Sequence, residues 1–274
     1  MTNRNAKNPT ADWEPALYNK FARYRREPFD TILARLEPIE GDRIVDLGCG
    51  TGENLTDLVR RTPGGAGVGL DLSPAMIASA NELRASLDPA LASRVRFATG
   101  DLRTFRVRNE YSLVFSNAAL QWVVDHRAVL ASCFDALSPG GRLVFQVPSN
   151  EIETAQMSMQ RLAADPRWRS RLGKVTVPSL TVYAPEEYRS MLAEIGFAAI
   201  DCYYHVFEHP MSGSADVIEW SRATSLRPFL AILSEHERPA FLADLLALLE
   251  AGYGTRGPLT FTFRRLFIWA RRPA

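Results

Sequence analysis

Cysteine is scarce in this 274-residue chain, with three residues, Cys49, Cys133 and Cys202, odd in number and widely spread. That excludes a disulfide framework and leaves reduced, intracellular thiols as the reading. Histidine is nearly as rare, with four residues and no Ser/His/Asp or Cys/His arrangement around them. His205 and His209 lie four apart on a strand-like stretch, roughly 13 Å. They cannot chelate one ion, and no metal is expected. No apolar run is long enough to span a bilayer, and the opening "MTNRNAKNPT" is polar. A soluble cytoplasmic protein with no membrane partner is the expectation. Excess charge is missing too: the net charge is +1 and the pI about 7.8. Such a chain carries no electrostatic footprint for nucleic acid. Internal repeats and low-complexity linkers are absent as well.

What is present is enough apolar material for a full core, 46% of residues, in one large domain or one domain with an insert. "DWEPALYNKFARYRREPFDTILARL" has helical spacing and predicts a helix broken at Pro28. "RIVDLG", "AGVGLDL", "VRFATGD", "YSLVFSN" and "GRLVFQVP" read as strands. Between them come a helix from Gly52 to about Arg61, one opened by Ser73-Pro74, and "RAVLASCFDALS". Alternation of this kind predicts βαβ units and a mostly parallel sheet. Past Asn150 the pattern changes. "APEEYRSMLAEIGF" predicts a helix closed by Gly196, followed by the strand "FAAIDCYYHVFEH". Two helices follow, "SADVIEWSRATSL" and "SEHERPAFLADLLALLEAGY", the second opening at Ser234 with Glu237 at capping-box spacing. The last strand, "LTFTFRRLFIWARR", pairs with the preceding one as a hairpin around that helical insert.

The stretch "VDLGCGTGENL", Val45 to Leu55, sets three glycines behind an apolar run. A dinucleotide fingerprint places a pyrophosphate on the helix that follows such a turn. Here Gly48, Gly50 and Gly52 are followed by Glu53, whose carboxylate repels a pyrophosphate and suits an uncharged or cationic ligand. Asp46 precedes the turn, Asp71 ends the second strand, and Asp101 follows the third. This arrangement resembles motif I of class I S-adenosylmethionine-dependent methyltransferases. The resemblance implies an α/β, Rossmann-like, seven-stranded, mostly parallel sheet with its last strand antiparallel and helices on both faces. It implies S-adenosylmethionine as cofactor, held by Asp46, Gly48, Cys49, Gly50, Asp71, Leu72, Met76, Asp101 and Leu102. Asp71 takes the ribose hydroxyls, Asp101 the adenine amino group, and Leu102 contributes backbone.

"SNAALQWVVDH" narrows the likeness, together with "DWEPALYNKFARYRREP", "VPSN", "EHPM", "IEWSRATSLRPFL" and "FRRLFIWARR". From about Asp12 onward the chain resembles the trans-aconitate 2-methyltransferase family. That resemblance implies methyl transfer to one carboxylate of a small di- or tricarboxylic acid. It places Tyr18 and Arg26 over the cofactor's methionine end, and Asn117, Ala118 and Trp122 at the junction with the acceptor. Read along its length, the chain is expected to divide into a disordered tail at 1–11, a helical segment at 12–36 over the cofactor site, a cofactor-binding core at 37–150 and a C-terminal part at 151–274. The last contains a helical lid at about 212–253. Departures are Thr51 for proline, Glu53 for asparagine, Ser149 for an acid, and Phe207 where the family has a tyrosine hydroxyl.

A carboxylate is already ionised at neutral pH, with reference pKa values near 4. No general base is required, which fits the poverty in histidine, and no catalytic residue beyond positioning groups is assigned. The acceptor needs aromatic walls and fixed cations. Trp122 and Tyr204 are the candidate walls; His209, Arg222, Arg227 and one of the Arg264–Arg265 pair, Arg264, are the candidate cations. Successive strand residues face opposite ways, so only one of that pair reaches a pocket. Two other readings stay open: a different small acceptor, such as an amine, a phenol or a carbon, and a catalytically silent cofactor-binding protein.

Overall fold

The computed structural model describes residues 21–175, 182–222 and 224–274. The expected tail at 1–11, the start of the 12–36 segment and Tyr18 lie outside them. In chain order the elements are α1 (Ala22–Arg35), β1 (Arg43–Leu47), α2 (Glu53–Arg61), β2 (Ala66–Asp71), α3 (Pro74–Ala85), α4 (Pro89–Ala92), β3 (Val95–Thr99) and β4 (Tyr111–Asn117). Then come α5 (His126–Ala136), β5 (Leu137–Pro148), α6 (Thr154–Ala164), α7 (Arg169–Leu172), α8 (Pro185–Ile195) and β6 (Ala198–Met211). The chain closes with α9 (Ser214–Arg222), α10 (Arg227–Ile232), α11 (Arg238–Tyr253) and β7 (Leu259–Arg271).

The strands form one seven-stranded sheet in the order β3-β2-β1-β4-β5-β7-β6. Pairs β1·β2, β1·β4, β2·β3 and β4·β5 are parallel, and β5·β7 is antiparallel. The expected hairpin neighbours, β6 and β7, lie side by side. Strands β1, β4 and β5 read as near-continuous apolar runs because central parallel strands are covered on both faces. Among the described residues, no helix is long and apolar enough to cross a membrane.

Two compact units can be described separately. One comprises Arg26–Ser149, Thr181–His205 and Arg264–Ala274 and contains the parallel strands. Its core gathers Val45, Leu47, Val114, Leu130, Phe145, Tyr188, Leu266 and Ile268. The other takes the residues up to Arg25, Asn150–Leu180 and Val206–Phe263. Trp168, Trp220, Phe229, Phe241 and Leu245 fill its core.

Two expectations about elements need correction. Pro28 does not break α1, which runs through it. An interior proline costs about 3 kcal/mol, whereas each fully buried large apolar side chain gains about 1.5–3 kcal/mol. Phe29, Ile32 and Leu33, all buried in the turn around Pro28, outweigh it. Nor does α11 begin at Ser234. Ser234 gives its backbone N–H (2.9 Å) and its hydroxyl (2.7 Å) to Glu237, but this closes a separate turn ahead of Arg238. Pro239 has no N–H to send back to Glu235, so that rung is missing, and a proline in the first turn suits a helix that starts at Arg238. Arg227 opens the short helix α10.

Candidate cofactor and acceptor site

The glycine turn leaves β1 and folds back on β2, with the N–H groups of Gly48 and Cys49 both donating to the Leu70 carbonyl at 2.7 and 3.0 Å. Its glycines serve different ends. Gly48 (φ +82°) and Gly52 (φ +83°) are closed in by protein: an added Cβ would stand 2.1 Å from the Ala119 Cβ and 2.5 Å from the Phe97 ring. Gly50 (φ +54°) has nothing within 4 Å on that side, so here the backbone itself is open to approach. Its N–H donates to Asp71 Oδ2 at 3.0 Å, while Asp71 Oδ1 accepts from the N–H of Ser73 at 2.8 Å. Each Asp71 oxygen keeps one acceptor site. The Ser73 hydroxyl caps α3 by accepting from the Met76 N–H at 3.4 Å. Leu72, beside Asp71, is exposed, and Met76 is half-buried.

Asp46 carries the strongest electrostatic signal. It is 1% exposed, and neither carboxylate oxygen has a hydrogen-bond partner among the described residues. Burial, and secondarily the charge of Asp71, holds its carboxyl well above the ordinary range. A lone buried carboxylate is costly and is stabilised by a cation bearing hydrogen-bond donors. Cys49 is also buried, and burial pushes its thiol up, which removes it as a nucleophile at neutral pH.

Asp101 is held in a fork by Arg103, with Nε at 3.0 Å from Oδ1 and Nη2 at 2.6 Å from Oδ2. The Arg103 side-chain bonds keep its carboxyl below the ordinary range. Arg103 is exposed, and pairs of that kind contribute little. Leu102 turns its side chain into the core, so backbone is what it offers outward.

At the end of β4, Ala118 adopts φ +55°, a left-handed conformation that costs an alanine about 1–2 kcal/mol. Its surroundings impose it. The Ala118 N–H donates to the Gln146 carbonyl at 3.0 Å, and the Gln121 side chain donates to the Ala118 carbonyl at 2.6 Å. Gln146 Nε2 donates to Asn117 Oδ1 at 2.6 Å, the two residues being register partners on β5 and β4. Strain held in place by several bonds is a mark of functional backbone. Trp122 follows on a 3-10 turn and is 54% exposed, so it is not a core tryptophan.

These groups occupy the carboxyl ends of parallel strands around β1 and β4, where the strand order reverses. Ligands of open α/β sheets bind at that edge. One unit therefore gathers Asp46, Gly48, Cys49, Gly50, Asp71, Leu72, Met76, Asp101, Leu102, Asn117, Ala118 and Trp122. Arg26 belongs to it as well, its guanidinium paired with Asp30 and Asp57 and lying over the Phe29 ring. Arg264 donates to the Ser149 carbonyl at 2.8 Å and stacks 4.3 Å above the half-exposed Tyr204 ring, while Arg265 faces inward. The other unit holds His209, Arg222 and Arg227. His209 is 1% exposed, its ring packed 4.4 Å from Tyr24 and 5.3 Å from Trp220. Phe207 is buried in the same cluster. Arg222 is exposed at the end of α9, and Arg227 is half-buried. Gln146 and Arg103 escaped the sequence reading. A lone amide inside the buried run "GRLVFQVP" was the available signal for Gln146.

Comparison with known proteins agrees with this geometry. Residues 44–141 match a family model described as a methyltransferase domain. Proteins called trans-aconitate 2-methyltransferase from Paracidovorax citrulli and Streptomyces avermitilis are 34% and 38% identical to this chain. Each alignment covers 96% of this chain, with 99% and 97% of the respective relative. Phosphoethanolamine N-methyltransferase 2 of Haemonchus contortus, solved with S-adenosyl-L-methionine, shares the fold at TM-score 0.56 and 19% identity. That match covers 90% of this chain and 53% of the other. A carboxyl-edge site of this build, and relatives aligned over nearly their whole length, place the chain in one family: it belongs to the trans-aconitate 2-methyltransferases.

Proposed function

We propose that this chain transfers the methyl group of S-adenosylmethionine to one carboxylate of trans-aconitate or a similar small di- or tricarboxylic acid, giving a monomethyl ester. The observation that carries this reading is similarity spanning nearly all of the chain, beyond the cofactor-binding region, to proteins bearing that name. The residues present suit the cofactor. Asp46 is a partnerless buried carboxylate beside an open glycine backbone, as an ammonium-bearing ligand requires. Asp71 has free acceptor sites for a diol. Bound there, S-adenosylmethionine supplies an electrophilic methyl group on a positively charged sulfur.

The chain's own contribution is placement. The acceptor carboxylate, already ionised, would take that methyl group on its own oxygen electron pair, the sulfur keeping the pair of the bond it gives up. No proton moves, so no general base is needed. Opposite charges vanish together, so the reaction gains from in-line orientation and exclusion of water. Ala118 and Asn117, locked by Gln146 and Gln121, supply fixed backbone and amide groups for that orientation. Arg227 is proposed to hold an unreacting carboxylate, with His209 second; a guanidinium binds a carboxylate in two parallel hydrogen bonds.

The test is transfer of a labelled methyl group across trans-aconitate, cis-aconitate, citrate, a monocarboxylate, an amine and a phenol. Trans-aconitate is expected to react best. Arg227→Lys should raise the KM for the acid far more than Arg264→Lys does. Reaction of the amine or the phenol with every acid inert would leave only the methyltransferase class standing.

A further inference from the structure

The amide pair at the carboxyl ends of β4 and β5 has a fixed polarity. Gln146 is 1% exposed and gives its Nε2 to Asn117 Oδ1 at 2.6 Å. The two are register partners on neighbouring strands, within the unit that holds the glycine turn. Gln146 Oε1 is buried without a partner among the described residues. Turning both amides over would orphan the Gln146 nitrogen in its place. A buried N–H without an acceptor is rarer than an under-satisfied carbonyl oxygen, so the observed sense is the less costly one. Asn117 itself is half-buried, and its Nδ2 stays accessible, with no partner among the described residues. Asp46 and Phe115 are register partners on β1 and β4, and Gly48 and Asn117 each stand two residues further on. Asn117 therefore lies beside the first glycine of the turn, whose own flank is filled by Ala119. The Gln146 carbonyl also accepts from the Ala118 N–H at 3.0 Å, so one residue fixes both the backbone and the side chain at the end of β4.

We propose that Asn117 shows its N–H groups to the reacting group of the acceptor and so selects an oxyanion over an amine, with Gln146 as the positioning residue that holds the amide this way round. The inference rests on the acceptor reading above and deepens it. A carboxylate has lone pairs to spare. One oxygen can accept from Asn117 while another lone pair takes the methyl group. An amine has a single lone pair, and a donor aimed at it occupies the pair that the reaction needs. Its own N–H groups find no acceptor in Asn117 either, because that oxygen is engaged by Gln146. The same asparagine turned over would favour the amine. Acceptor class at this position is thus decided by a buried residue one strand away.

Protein labelled with ¹⁵N-asparagine and saturated with S-adenosylhomocysteine tests this without turnover. The Asn117 side-chain amide pair is identified by its loss in Asn117→Asp, or in Asn117→Ser should the first variant not fold. Titration with trans-aconitate should move that pair and saturate, while butylamine should leave it still. In Gln146→Glu an acceptor replaces the donor and the amide turns over, so trans-aconitate should no longer move it. Asn117→Asp keeps the bond from Gln146 and loses only the outward donor. Both variants should raise the KM for the acid about ten- to a hundredfold, the loss expected for one hydrogen bond to a charged group, and keep their affinity for S-adenosylhomocysteine. A purely structural role would not move the Asn117 resonance of the native protein on titration. If the acid is methylated while that resonance stays still, the inference falls alone. If the amine is methylated and every acid is inert, the acceptor reading and the inference fall together.

Discussion

Asp46 shows how one residue can be unfavourable for the fold and useful to the site. Its carboxyl is held above the ordinary range by burial and by the charge of Asp71. The folded state therefore keeps the proton more tightly than the unfolded chain, where the pKa is about 3.9. That contribution to stability is fully present at low pH and is lost as pH rises from there through the raised folded value. Without ligand, Asp46→Asn should be more stable than the native protein at neutral pH, with the difference shrinking toward pH 4. The same change should weaken S-adenosylhomocysteine binding about ten- to a hundredfold, the worth of a charge-assisted hydrogen bond. Denaturation at several pH values and calorimetric titration check both halves. A variant that is less stable and binds normally would mean Asp46 is satisfied without a ligand.

Among the elements, the turn between β1 and α2 separates support from contact. Gly48→Ala puts a Cβ at a positive φ and into Ala119, so it should lower the unfolding midpoint severely or prevent folding. Gly50→Ala meets no atom within 4 Å and should cost only the left-handed penalty of about 1–2 kcal/mol, yet lose most of its affinity for S-adenosylhomocysteine. Equal damage from both would show that the open side of Gly50 has no binding role. The turn was legible because its signals are local: glycines, an apolar strand, a helix start at Glu53. Ser73-Pro74 and Gly196 were legible for the same reason, each marking a helix end found where they stand. Helix α6 was not. Its buried side mixes Gln156 and Ser158 with Ala155, Met159, Leu162 and Ala163, so polar side chains interrupt the apolar stripe that would advertise it. The Asn117–Gln146 bond was out of reach as well, since it depends on the register of two strands 29 positions apart in sequence.

At the scale of the whole molecule, a ligand that binds only the folded chain must raise its stability, by about 2.7 kcal/mol at a hundred times its Kd. S-adenosylhomocysteine should shift the melting midpoint upward to that extent, and NAD should not shift it at all. An upward shift with NAD alone would return the glycine turn to the dinucleotide class. The two-unit division has a consequence for how such a protein can change. The chain passes from one unit to the other five times, within α1, after Ser149, near 180, within β6 and within β7. Neither unit is a cassette, and no single crossover between homologous genes exchanges one unit while sparing the other. A lineage acquiring a new acceptor cannot borrow a ready-made half from a relative, and must instead drift through single substitutions at positions such as Arg227 or Ser149.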